Sequence, residues 1–101
     1  MAQFDVYKNE NDQTNQKVPY LLDIQNDILD SINTRVVIPL VKDKNDFKGL
    51  TKKFIIENQK VYLTTSQMGA VHKNELKTKI TTLTNQKEEI KNSIDFFIYG
   101  F

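Results

Sequence analysis

The sequence predicts a mainly β protein closed by one C-terminal α-helix. Short runs rich in β-branched and aromatic residues recur along most of the chain, the composition of half-buried strands. Polar, turn-forming stretches separate these runs. After Leu83 the hydrophobic spacing changes from alternation to that of a helical stripe.

Phe4-Asp5-Val6-Tyr7 reads as the first strand, with Phe4 and Val6 on one face. Lys8 to Lys17 contains no apolar residue and reads as a long polar loop. Pro19 precedes the second strand, Tyr20-Leu21-Leu22-Asp23-Ile24, and Thr34 to Leu40 is a third, strongly apolar one. Pro39 has no N–H, so it is expected near a strand end, a bulge or an edge. Val41 to Leu50 is a second, charged loop containing Gly49. Phe54-Ile55-Ile56 and Val61-Tyr62-Leu63-Thr64 read as two strands joined by the turn Glu57 to Lys60. A short extended piece is expected between Leu76 and Leu83.

The helix should begin near Asn85, with Glu88 three positions on as in a capping box. Ile90, Ile94, Phe97, Ile98 and Phe101 then share one helical stripe. Strands first and one helix last imply a small antiparallel sheet or barrel with the helix packed on it.

Length and composition narrow the function. A chain of 101 residues has room for one domain, spanning 1–101, with a modest core that a subunit partner would help. With no cysteine there is no disulfide framework, thiolate nucleophile or cysteine zinc site. Met1-Ala2-Gln3-Phe4-Asp5 lacks the basic and apolar regions of a signal peptide, and no apolar run reaches membrane-spanning length. A cytoplasmic protein without a membrane partner is expected. The net charge is +1 and Arg35 is the only arginine among fourteen basic residues. Sequence-specific nucleic-acid binding favours clustered arginine and a basic excess, so direct DNA contact is not expected. The lysines at 42, 44, 48, 52 and 53 read as a solvated loop.

No catalytic constellation emerges, and no metal or cofactor is expected. His72 is the only histidine and reads as an ordinary surface residue. The three glycines, Gly49, Gly69 and Gly100, are too scattered for a phosphate loop. Asp23, Asp27 and Asp30 could converge on a metal, but their surroundings favour capping and turn roles. The end of the chain is more distinctive, since Phe96 to Phe101 holds four aromatics in six residues. A helix buries one stripe, so Ile94, Phe97 and Ile98 are expected on the sheet. Tyr99 and Phe101 are expected at an interface.

Several segments in order carry a family resemblance: Gln3-Phe4-Asp5-Val6-Tyr7, Leu22 to Asp30, Arg35-Val36-Val37-Ile38-Pro39-Leu40, Thr64 to Met68, and Ile90 to Asp95 running to Tyr99-Gly100-Phe101. The run D-[VI]-Q-x-D-[IL]-[IL]-D followed by R-x-V-I-P-L is the most specific part. The chain resembles the CcdB family of bacterial toxins from toxin–antitoxin modules along nearly its whole length, fading at residues 8–18 and 41–53.

The resemblance implies an SH3-like barrel of the CcdB, MazF and Kid type with a C-terminal helix, assembled as a homodimer. It implies a toxin that binds the A subunit of DNA gyrase and traps the cleaved-DNA complex, reaching DNA only indirectly. A CcdA-like antitoxin would neutralise it. Carried over by position, the gyrase-facing residues are Ile28, Leu29, Asp95, Ile98, Tyr99, Gly100 and Phe101. Ile28 and Leu29, read by themselves, are adjacent apolar residues in a strand-like run that could straddle the core. The antitoxin is expected at the polar loops, through Lys42, Lys44, Lys48 and Lys52, where lysines would speed encounter with an acidic segment. Tyr99 replaces the family's Trp, and could retain a cation–π contact with a smaller face. Asp95, Phe101 and His72 stand where a plasmid-borne member has Asn, Ile and Pro. A non-toxic or divergent-target homologue is the first alternative function; a MazF/Kid-like endoribonuclease is the second.

Overall fold

A computed structural model describes residues 2–43 and 52–100, and among these residues it has seven short strands and one α-helix, the strand at Gly69–His72 being one that the sequence patterns do not predict. The strands are β1 (Asp5–Lys8), β2 (Tyr20–Asp23), β3 (Thr34–Val41), β4 (Lys53–Ile56), β5 (Gln59–Leu63), β6 (Gly69–His72) and β7 (Lys79–Thr82). The helix α1 runs Lys87–Tyr99. All the pairings are antiparallel, in the order β4-β5-β3-β2-β1-β7. β6 joins β3 beside Thr34 to Val37, while β5 joins the same strand at Leu40 and Val41. Two strands in tandem along β3 let the sheet curl into a half-barrel.

Alternation sets the core. Val6, Leu22 and Ile38 are register partners across β1, β2 and β3, and each is fully buried. Tyr20, Leu40 and Leu63 form the next row, and Phe54 faces Val61. Leu83 and Ile90 cover this face from the chain's last segment. Emptying such a site, as in Leu22→Ala, costs about 2–5 kcal/mol. The opposite face carries a smaller cluster of Tyr7, Val37 and Leu76, packed by Leu21 and Val71.

The first strand starts one residue later than its pattern suggests. Phe4 is buried but has φ 74°, a left-handed conformation unusual for a bulky residue. It persists because both of its backbone groups are engaged: its N–H donates to Asp23 O at 2.6 Å and its carbonyl accepts from Leu83 N at 2.8 Å. Glu57 and Asn58 also have positive φ and form a two-residue turn between Ile56 and Gln59, as a tight hairpin requires. Pro39 lies inside β3, opposite Leu21. Its carbonyl accepts from Thr64 N–H, so its donorless nitrogen faces the same side, at the opening between β6 and β5.

Two expectations about α1 are corrected. Thr84–Gln86 forms a 3-10 turn before the helix, and the N-cap is Gln86 without a side-chain bond, so the Asn85–Glu88 capping box does not form. The buried helical residues are Ile90 and Ser93, with Ile94 packed on the core. Ser93 Oγ and Thr65 Oγ1 lie 2.8 Å apart, tying the helix to the turn Thr65–Gln67. The packed stripe of the helix consists of Ile90, Ser93 and Ile94, and Phe97 and Ile98 beyond it are 42% and 55% exposed instead of packed.

Candidate functional site

The predicted site residues fall on two elements. The first is the connection from β2 to β3. Ile28 and Leu29 are not in a strand: Asp27–Leu29 is a 3-10 turn, started by Asn26, whose side chain accepts from Ile28 N–H at 2.9 Å. That local bond competes with extended structure, as asparagine bonds to nearby backbone do. Ile28 is 86% exposed and Leu29 45%, with Ile32 exposed beside them. Neither straddles the core.

Beneath this turn lies a polar network that sequence reasoning missed. Arg35, in β3, is fully buried. Its Nε donates to Asp23 Oδ2 at 2.9 Å, and its Nη2 lies 2.7 Å from the same oxygen. Nη1 donates to Asp30 Oδ1 at 3.1 Å. Nη2 also reaches Gln25 O at 3.2 Å and Asp27 Oδ1 at 3.4 Å. Asp23, Asp27 and Asp30 therefore converge on a guanidinium; among the described residues no acidic or histidine cluster is arranged to hold a metal ion. Burial opposes the Arg35 charge, but the carboxylates of Asp23 and, to a lesser degree, Asp27 and Asp30 override it and hold the guanidinium above its ordinary pKa. Burial pushes the Asp23 carboxyl up, against the pull of Arg35 and the Gln25 N–H. The legible clue was one arginine in an apolar strand run, preceded by three aspartates.

More bonds stitch the same segment. Gln25 Oε1 accepts from Val36 N–H at 3.1 Å, and Asp23 Oδ1 accepts from Gln25 N–H at 3.0 Å. Gln3 N–H donates to Asp27 Oδ1 at 2.7 Å. Lys73 reaches both the carbonyl and the carboxylate of Asp30.

The second element is the end of α1. Asp95, Ile98 and Tyr99 stand three and four residues apart, so the helix brings them to one face. All three are exposed, Tyr99 by 66%, and Phe96 and Phe97 are partly exposed beside them. Gly100 ends the helix at φ 83°, its N–H donating to Phe96 O at 2.9 Å. A Cβ at Gly100 would meet nothing within 4 Å, so the left-handed backbone, rather than a close approach within the chain, is what calls for glycine there. Phe101 lies outside the described residues.

The lysine loop is only partly in view. Lys42 is exposed, its N–H donating to Lys17 O, and Lys52 is half-buried, its carbonyl accepting from Leu63 N–H. Lys44 and Lys48 lie outside the described residues. His72 is exposed at the end of β6, where its Nδ1 accepts from Asn74 N–H and Glu75 closes a capping box. A cleft of about 350 Å³ opens beside the first polar loop, floored by Leu21 and Val71 and walled by Asn9, Glu10, Glu75 and Lys77. No helix among the described residues is long and apolar enough to cross a membrane.

Among curated proteins none matches this chain. Among solved structures, the fold is similar to that of an endoribonuclease in complex with its cognate antitoxin from a mycobacterial species, with TM-score 0.75 at 11% identity. That likeness covers 94% of this chain and 91% of the other. It is also similar to the Mycobacterium tuberculosis toxin MazF-mt6, with TM-score 0.73 and 11% identity over 90% of this chain and 92% of that one. Identities this low establish the shared fold alone. The family model of the CcdB protein matches residues 3–100. With the match running almost end to end on a half-barrel closed by a C-terminal helix, the chain belongs to the CcdB family of toxin–antitoxin toxins.

Proposed function

We propose that this toxin acts by binding the A subunit of DNA gyrase and trapping its cleaved-DNA complex, without catalysing a reaction of its own. The observation that carries the reading is the exposed apolar end of α1, where Tyr99 and Ile98 stand open beside Asp95. Exposed aromatic and aliphatic side chains grouped at one place favour an interface over solvent. Ile28 and Leu29, held outward on their turn, supply the second part of the surface, and Gly100 and Phe101 complete the tail. The chain is a single domain that works as a homodimer, which would cover part of the apolar helix end. A CcdA-like antitoxin binds at the polar loops through Lys42, Lys44, Lys48 and Lys52. The cleft beside the first loop adds an apolar floor for an extended segment.

The test is calorimetry of the protein with the dimerisation fragment of a gyrase A subunit, with Tyr99→Ala alongside. Tight binding that the substitution weakens is expected. A folded protein that does not bind overturns the reading.

The similarity of fold to endoribonucleases favours a second reading, RNA cleavage. Against it stands Arg35. An arginine that stabilises phosphate needs an open guanidinium, and this one is buried and engaged by carboxylates. Incubation of the purified protein with RNA separates the two: specific cleavage would favour the ribonuclease.

A further inference from the structure

We propose that Arg35 is a positioning residue for the partner-facing turn: its guanidinium clamps residues 23–30 so that Ile28 and Leu29 are presented already ordered. This rests on the gyrase-facing reading of that turn.

The turn has no apolar anchor of its own. None of Asp27, Ile28 or Leu29 is buried, and the neighbouring Ile32 is exposed as well. A segment that turns its apolar side chains outward gains no hydrophobic burial from them, so polar contacts must order it. Asn26 caps the turn at Ile28 N–H, Gln25 Nε2 reaches Leu29 O, Gln3 N–H meets Asp27 and Lys73 meets Asp30. Among the described residues, though, only one side chain touches the segment before, within and after the turn at once. Arg35 is rooted in β3 opposite Val71 and reaches Asp23 at the end of β2, Gln25 O before the turn, Asp27 in it and Asp30 after it. A planar guanidinium with five N–H donors can bridge several acceptors in fixed directions, which a lysine ammonium on a flexible stem cannot.

The two ends of the network also differ in burial. Asp23 is fully buried with Arg35, whereas the side chains of Asp27 and Asp30 are 57% and 54% exposed. The inner pair belongs to the fold. The outer pair connects it to the turn and can be removed with little disturbance to the core. Ordering the turn before the encounter lowers the entropy lost on binding, which is how preorganisation raises affinity.

The experiment uses the full chain with Asp27→Ala and Asp30→Ala, singly and together, and Arg35→Lys. Amide hydrogen exchange is read at residues 28–32 against the core strands, and calorimetry measures affinity for the gyrase A dimerisation fragment. In the double variant, exchange at 28–32 should rise about tenfold while the core strands stay within about twofold of wild type. Affinity should fall about tenfold with the helix end intact. Asp27→Asn with Asp30→Asn keeps an acceptor oxygen at each place and should restore part of both losses. Arg35→Lys should resemble the alanine pair where it folds, and the surface variants decide the matter where it does not. Unchanged exchange at 28–32 in the double variant overturns the clamp. Faster exchange with unchanged affinity overturns its role in presentation. If wild-type protein fails to bind the fragment, the gyrase reading falls, and exchange alone then judges the clamp.

Discussion

The 23–30 turn and the last half of α1 both offer apolar side chains to solvent, yet they are held by opposite means. The turn stands on charge: a buried arginine, one buried and two exposed aspartates, and Lys73 at the margin. The helix end extends from Ile90 and Ile94 on the core and a hydroxyl pair at Ser93, and beyond Ile94 its side chains are exposed. The difference separates stability from surface. A change at the root of the turn should strike the fold, whereas a change at the tip of the helix should strike recognition alone.

The largest effect is expected from Arg35→Ala. It leaves Asp23 buried without its counter-charge, and breaking such a pair costs about 3–5 kcal/mol. Urea unfolding should show a sharply lowered midpoint; a midpoint like that of wild type would break the comparison at its root. Tyr99→Ala should do the reverse. Its affinity for the gyrase fragment should fall by about 2 kcal/mol or more, while its unfolding midpoint falls far less than that of Arg35→Ala. Equal losses in both measurements would mean that Tyr99 serves the fold.

Ser93→Ala sharpens the same comparison from the helix side. It leaves the buried Thr65 hydroxyl unpaired, at a cost of about 1–3 kcal/mol. The double variant Thr65→Val with Ser93→Ala should recover much of that loss, and simple addition of the two single effects would argue against the bond.

The smallest effect at neutral pH concerns neither region and so serves as their control. Tyr20 is pushed up to about 12 by burial and by its bond to Glu57, where the phenol donates to Oε1 at 2.5 Å. A folded pKa above the unfolded value of 10.0 contributes stability that is complete below pH 10. That contribution is lost as pH rises from 10 through about 12. Alkaline titration followed by tyrosinate absorbance should show a late component that Tyr20→Phe diminishes but does not abolish, because burial and the nearby Asp5 and Asp23 also push Tyr7 up. Binding through the turn and the helix end at neutral pH should stay the same.

The strand alternation was legible from the residues: Val6, Leu22, Ile38, Leu40 and Val61 announce one buried face by spacing alone. β6 was not. Gly69-Ala70-Val71-His72 has no alternation to read, and it is a strand because Thr34 to Val37 offer it a backbone edge. The turn at Ile28 reads as strand-like from sequence because two adjacent apolar residues carry the same signal in either state, and the Asn26 side chain favours the turn through a local bond to Ile28 N–H. The aspartate spacing was visible, but its centre was not, because Arg35 lies beyond the turn in the next strand.

By itself the sequence determined the mainly β class, the closing helix, the lack of cysteine chemistry and the CcdB resemblance. These depend on residue type and short-range spacing, which folding does not alter. Only the tertiary structure decided that three aspartates meet an arginine, that Ser93 rather than Ile98 seats the helix, and that Ile28 and Ile98 face solvent. Those outcomes depend on the relative placement of elements, and that placement is set by packing between residues far apart along the chain.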